Sequence, residues 1–333
     1  MSRKQLVHST LAHQQNSRVP YSVMLTGEGY DAYGSRLLAD YADRKAAEDL
    51  AAGKISLQQA VSLSIGNHIL HVTPPWWGWH NLPEHFIKGE DTPDTLPSTI
   101  GTGSYERFFE LCDHIRRCYD VYILVTVWGS HWEKAYFSRG IENFLYDLAA
   151  SPEWSQALLD MVIRKNLVML ENILSAGEFD GVLLGSDWGT QRGLIMSPAC
   201  WRQMIKPGEQ QEYDLIKSYG KHVWIHSCGD VQALLPDLVD MSVDVLNPVQ
   251  PECMDLSKLK LKYGDQLSFY GGISTQGVLP HGTPCDVRSE TERTIALMSA
   301  NGGYITSSSQ EIQTDVPYEN LKALIDTARK HGA

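Results

Sequence analysis

Val223-Trp224-Ile225-His226-Ser227-Cys228-Gly229 reads as a short buried strand that breaks at once into histidine, cysteine and glycine. Residues i and i+2 of an extended segment point the same way. The His226 imidazole and the Cys228 thiol therefore leave one strand end side by side. Both are good zinc ligands. A buried thiol beside a histidine that bonds its own loop would have the same spelling, so the pair has to be weighed against the rest of the chain.

Moving outward from this strand, short apolar runs alternate with long amphipathic stretches. The runs are Val19 to Leu25, Ile65 to Val72, Val121 to Val127, Gly181 to Leu184, His222 to Ile225, Val243 to Leu246, Leu267 to Tyr270 and Gly303 to Ile305. Between them, Tyr105 to Arg117 carries Phe108, Leu111, Cys112 and Ile115 at helical spacing, and Pro152 to Ser175 is a second such stretch. Ser197-Pro198, Thr283-Pro284 and Val316-Pro317 read as helix starts with proline at or near the first helical position. Alternating strand and helix implies parallel strands with right-handed crossovers. Eight units predict a closed (β/α)8 TIM barrel, an α/β fold, as a single domain over residues 1–333. Residues 1–63 form an N-terminal helical extension that includes the first strand. A doubly wound open sheet is the alternative, but no Gly-x-Gly-x-x-Gly follows a strand.

A chain of 333 residues is long enough for one such barrel. Its net charge of −12 leaves no basic stripe for nucleic acid and disfavours an anionic membrane surface. No apolar run approaches the roughly 18 residues of a membrane span. Met1 to Asn16 lacks an apolar signal core. The six cysteines are scattered rather than framed as disulfides. A cytoplasmic protein is expected.

A barrel of this kind carries its chemistry at the C-terminal strand ends. Those ends are polar here. They offer Thr26-Gly27-Glu28, His71, Trp128 with His131 and Glu133, Asp187, the His226/Cys228 pair, Asn247 with Glu252, and Gln310-Glu311. Tryptophans gather in two loops, Trp76 with Trp77 and Trp128 with Trp132. They read either as core or as the walls of an aromatic pocket.

A set of longer motifs accompanies these ends: Asp187-Trp188-Gly189-Thr190-Gln191-Arg192-Gly193, Ser197-Pro198 with Trp201-Arg202 and Lys206-Pro207, His226-Ser227-Cys228-Gly229, Val245-Leu246-Asn247-Pro248-Val249-Gln250-Pro251, Phe269-Tyr270-Gly271-Gly272-Ile273 and Ile312-Gln313-Thr314-Asp315-Val316-Pro317. Together they resemble the uroporphyrinogen decarboxylase superfamily, in particular the decarboxylase-like branch that includes cobamide-dependent methyltransferases. The family fold is a (β/α)8 barrel. True decarboxylases of the family hold a polycarboxylate tetrapyrrole with arginines after the first strand. The corresponding loop here, Thr26 to Gly34, has two acids and no arginine before Arg36. Uroporphyrinogen is therefore disfavoured.

The resemblance implies zinc held by His226, Cys228 and a third residue near the last strand. That third position falls close to Gln310, a feeble ligand, so Glu311 is the expected carboxylate, with Gln310 or Glu252 as alternatives. The activity implied is methyl transfer from a small methylated compound to a corrinoid cofactor on a partner protein. The expected donor is a methyl ether such as a methoxylated aromatic, its ether oxygen polarised by zinc. Trp76, Trp77, Trp128, Trp132, Asn247 and Gln310 are the expected substrate-binding residues. Asp187, His131 and Glu133 are expected to orient the donor or protonate the leaving oxygen. A homodimer is compatible with this reading. Zinc activation of a thiol acceptor, a metal-free decarboxylase of a small or aromatic acid, and a non-catalytic barrel that carries or senses a corrinoid are the competing readings.

Overall fold

A computed structural model of the chain describes residues 1–79 and 81–333. Seven parallel strands pair in strict sequence order: β1 (Ile69–Val72), β2 (Tyr122–Val127), β3 (Gly181–Gly185), β4 (His222–His226), β5 (Val245–Val249), β6 (Ser268–Ile273) and β7 (Tyr304–Ser308). Each is almost wholly buried, as strands covered on both faces must be. Strands β3 to β7 run one to three residues beyond the apolar runs that announce them. These added residues include His226, Asn247, Gly271, Gly272, Ser307 and Ser308 at the mouth of the barrel, and the ladder continues through them.

The first run, Val19 to Leu25, closes the curve without becoming a regular strand. It makes two isolated parallel bridges, Tyr21 to Thr306 and Leu25 to Ile312. Pro20 has no amide hydrogen, although its carbonyl accepts from Thr306. On the β1 side a side chain does the work of backbone: Asn67 accepts from the Val23 amide at 3.0 Å and donates to the Val23 carbonyl at 2.9 Å. The expected α/β TIM-barrel fold is thus present, its eight apolar runs appearing as seven regular strands plus this side-chain-stitched segment.

Four helices precede β1: α1 (Arg3–Leu11), α2 (Gly27–Asp40), α3 (Arg44–Ala51) and α4 (Leu57–Ser64). Helix α1 plugs the barrel from below. Val7 and Leu11 pack with Tyr122, Leu124, Leu183, Trp224, Val245, Tyr270 and Ile305, which fill the interior. Outside lie α5 (Tyr105–Cys118), α6 (His131–Arg139), α7 (Ile141–Ala150), α8 (Pro152–Leu174) and α9 (Lys206–Ser218). Helix α9 follows a π-helical turn over Trp201–Ile205. The Ser197 and Thr283 side chains cap their helices as their spelling predicts. Among the described residues no helix is long and apolar enough to cross a membrane.

Candidate metal and substrate site at the barrel mouth

Register across three neighbouring strands builds the site. Gly185, His226 and Asn247 are lateral partners on β3, β4 and β5. Residues in register face the same way, so the Asn247 Oδ1 meets His226 Nδ1 at 2.7 Å. The opposite ring nitrogen, Nε2, is then directed at the mouth. It lies 3.4 Å from Cys228 Sγ and 3.7 Å from Asp187 Oδ1. Asp187 follows β3 and also accepts from the Cys228 amide at 2.9 Å. Ligand atoms of Asp187, His226 and Cys228 all lie within 4.8 Å of one another.

Gly229 permits the turn after the cysteine. Its φ is +81°, and a Cβ there would sit 2.6 Å from the backbone of Gly189 and Thr190. Gln310 donates from Nε2 to Cys228 Sγ at 2.9 Å. Burial and the Asp187 charge push the Cys228 thiol up to about 12, and burial lowers His226. One imidazole, one thiol and one carboxylate form a donor set that a cation would complete.

These observations place the expected site residues unequally. Asp187, expected to handle substrate, stands with the His226/Cys228 pair as the third donor. Glu311 is not one of that trio, although it lines the same hollow as His226; its amide donates to Gln310 Oε1. Glu252 is not one of the trio either; its Oε1 accepts from Ser274 and the Gln276 amide. Trp128 stands edge-on to His226, ring centroids 4.8 Å apart, and is 44% exposed. Trp76 lines an aromatic hollow with Trp79, Phe86 and Trp128. Trp77 and Trp132 are buried on the core side of their loops: Trp77 donates to Asn166, and Trp132 packs on Phe144 while its indole N–H holds the Asp187 carbonyl. As pocket walls they are corrected to supports.

His131 is fully buried between Glu209 and Glu212 and cannot reach a substrate from there. Glu133 caps α6 by accepting from the Gly129 and Ser130 amides. Burial and the Asp187 charge raise its carboxyl to about 7.

His71, one of the polar strand-end residues, belongs to the site as well. Its Nδ1 is held by Thr126 Oγ1 at 2.8 Å, and its buried Nε2 has no hydrogen-bond partner. Burial lowers its pKa to about 4. With His226, Asn247, Trp128 and Glu311 it lines a small hollow at the centre of the mouth. Larger cavities open on either side. One, of about 630 Å³, is lined by Met24, Tyr30, Leu70, His71, Trp128 and others. The second, of about 470 Å³, is lined by Cys228 and five glutamines, Gln191, Gln250, Gln276, Gln310 and Gln313. Glu311 lines all three spaces, and Lys54 is the one lysine or arginine among the lining residues.

Residues 87–331 match the uroporphyrinogen decarboxylase (URO-D) family. The chain belongs to that family. Within it, a curated relative is the methylated-thiol–coenzyme M methyltransferase of Methanosarcina mazei, 23% identical over 244 residues, which are 72% of this chain and 61% of the relative. The match thus spans less than two thirds of that relative's length. Among solved structures, a methyltransferase from Methanosarcina mazei superposes with a TM-score of 0.70 at 16% identity, covering 100% of both chains. It establishes that this URO-D chain has the barrel fold of that protein.

Proposed function

We propose that this URO-D protein is a metal-dependent methyltransferase that moves a methyl group from a small methyl ether to a corrinoid carried by a partner protein. The convergence of His226, Cys228 and Asp187 at the mouth of the barrel carries the reading. The donor set suits zinc: one imidazole, one thiol and one carboxylate, with an open side toward the cavities, which is the pattern of a catalytic rather than a structural site. Asn247 fixes the His226 ring and Gln310 touches the sulfur, as outer partners of metal ligands do. Zinc bound there supplies a Lewis acid that polarises the donor oxygen.

The remaining roles fall to the protein. In the transfer the methyl carbon–oxygen bond breaks, the methyl group passes to the corrinoid, and the departing oxygen takes up a proton. The 630 Å³ cavity is large enough for a methoxylated aromatic, with Trp128 as its wall and the His71 Nε2 as the polar atom that orients the oxygen. The scarcity of cations in the lining disfavours uroporphyrinogen, whose many carboxylates demand them. Glu133 holds the loop that presents Trp128, and acts on the donor through that loop and Asp187. That the relative's name specifies a methylated thiol leaves sulfur donors as the nearest neighbours of this chemistry.

The test is an assay of the zinc-loaded chain with chemically reduced cobalamin and a panel of methoxylated benzoates and simple methyl ethers. Methylcobalamin should appear with at least one ether. Loss of the rate in His226→Ala and Cys228→Ser should exceed the roughly 10–100-fold typical of removing an outer partner. Carbon dioxide release from a carboxylic acid without any corrinoid, unaffected by these substitutions, would establish a decarboxylase instead.

A further inference from the structure

Beneath the strand ends lies a second cluster that the proposed reaction does not use. His131 stands on the first turn of α6. Glu209 and Glu212, three residues apart, project from the same side of α9. All three side chains are 0–1% exposed. His131 Nδ1 is 3.5 Å from Glu209 Oε1 and 3.8 Å from Glu212 Oε2. Both separations are too long for a hydrogen bond, and neither His131 Nδ1 nor Glu212 Oε2 has any hydrogen-bond partner.

His131 Nε2 is likewise without a partner, whereas the remaining carboxylate oxygens are engaged. Tyr213 donates to Glu209 Oε2 at 2.7 Å and Ser186 to Glu209 Oε1 at 3.0 Å. Asn166 donates to Glu212 Oε1 at 2.8 Å, and its own oxygen accepts from Trp77 and Lys134. The carboxylates are thus oriented by their neighbours: Glu212 Oε2 is left unpartnered toward the imidazole, and Glu209 Oε1 faces it while also accepting from Ser186. A buried imidazolium would close on these oxygens to about 2.7–2.9 Å. Atoms bound to one metal at about 2.0–2.2 Å instead stand more than 3 Å from each other. Two buried carboxylates converging on one point need either protons or a cation there; burial raises the Glu209 carboxyl to about 7, and a metal bound between the two would relieve that cost.

We propose that His131, Glu209 and Glu212 form a second, fully enclosed binding site for a divalent transition metal of the zinc class. Its imidazole excludes the all-oxygen preference of calcium and magnesium. Its place is structural: it ties α6 and α9 together, and through Ser186 ties both to the residue before Asp187. It stands independently of the reaction assigned to the mouth.

The double variant His226→Ala/Cys228→Ser removes the mouth pair and leaves the buried cluster whole. Metal-free full-length double variant, titrated with zinc alone and analysed by mass spectrometry for bound metal, should retain one zinc per chain after gel filtration. Its X-ray absorption spectrum should show only nitrogen and oxygen neighbours, and its Tm should rise on loading. Adding Glu212→Gln, which keeps the Asn166 hydrogen bond, should abolish both the retained zinc and the rise. Zinc-free double variant after loading, or zinc retained undiminished when Glu212→Gln is added, overturns the proposal. Should the triple variant fail to fold, the double variant's stoichiometry and spectrum decide alone.

Discussion

At the scale of single residues, the mouth of the barrel is a set of paired constraints rather than a list of reactive groups. Asn247 accepts from His226 Nδ1 and so leaves Nε2 as the lone pair that faces Cys228 and Asp187. Replacing Asn247 by leucine frees the ring to rotate. Zinc affinity should fall about 10–100-fold, read by competition with a chromophoric chelator, while thermal stability changes little. His71 makes a different prediction. Its Nε2 has no hydrogen-bond partner in the protein, so His71→Phe should leave zinc content unchanged and lower kcat/KM about 10-fold or more. An equal loss of zinc would remove His71 from the substrate side. Asp187→Asn separates the third donor from the pair: zinc should bind more weakly in this variant but not in Glu311→Gln.

At the scale of elements, the segment before β1 is where stability is most exposed to change. Asn67 replaces a strand ladder with two hydrogen bonds to Val23 and a third to Ser62 Oγ. Asn67→Ala leaves buried backbone groups unpaired and should cost about 2–4 kcal/mol in denaturant unfolding. Beside it, His68 accepts from the Tyr21 amide through Nδ1, and its Nε2 bonds the Gly332 carbonyl. That arrangement suits a neutral ring, and burial lowers its pKa to about 4. The unfolded chain binds the proton more readily, near pH 6.5, so stability should fall as pH drops from there toward 4. At pH 5 the loss from His68 alone is on the order of 2 kcal/mol. Asp180 adds to the same slope at lower pH. Burial would raise its carboxyl, but His8, the Ile123 amide and Lys4 outweigh it and hold the group well below the usual range. A urea midpoint that stays constant between pH 7 and 5 would contradict this account.

The strands, by contrast, were legible in the sequence. Their apolar runs mark buried parallel strands because both faces are covered. Legibility ends where the runs meet the mouth. Asn247-Pro248 reads as a turn, yet lies within β5, because its neighbours on β4 and β6 supply the ladder. His226, Cys228 and Asp187 are recognisable by residue type at strand ends. That Asp187 rather than Glu311 joins the pair depends on where the loop after β3 folds back, which no spacing encodes. Trp132 and Trp77 have the composition of a pocket wall, but only the packing of α6 against Phe144 and the buried Asn166 tells which way they face. His131 illustrates the same limit: a histidine just past a strand end looks solvent-facing until α9 is laid across it.

At the scale of the whole molecule, the barrel brings together residues from four strand ends around one point, while α1 seals the opposite end and leaves the mouth as the way in. The net charge of −12 and the near absence of cations around the cavities favour neutral donors over anionic ones. A series of methoxyarenes should therefore show lower KM for the neutral amide or alcohol than for the matching carboxylate, with the gap narrowing as salt is raised. The central claim is that one sulfur and one imidazole share a metal at that mouth. Zinc X-ray absorption on the fully loaded chain tests it most directly. The account predicts a sulfur neighbour at about 2.3 Å that disappears in Cys228→Ser; a spectrum with nitrogen and oxygen neighbours alone, identical in both proteins, would contradict it.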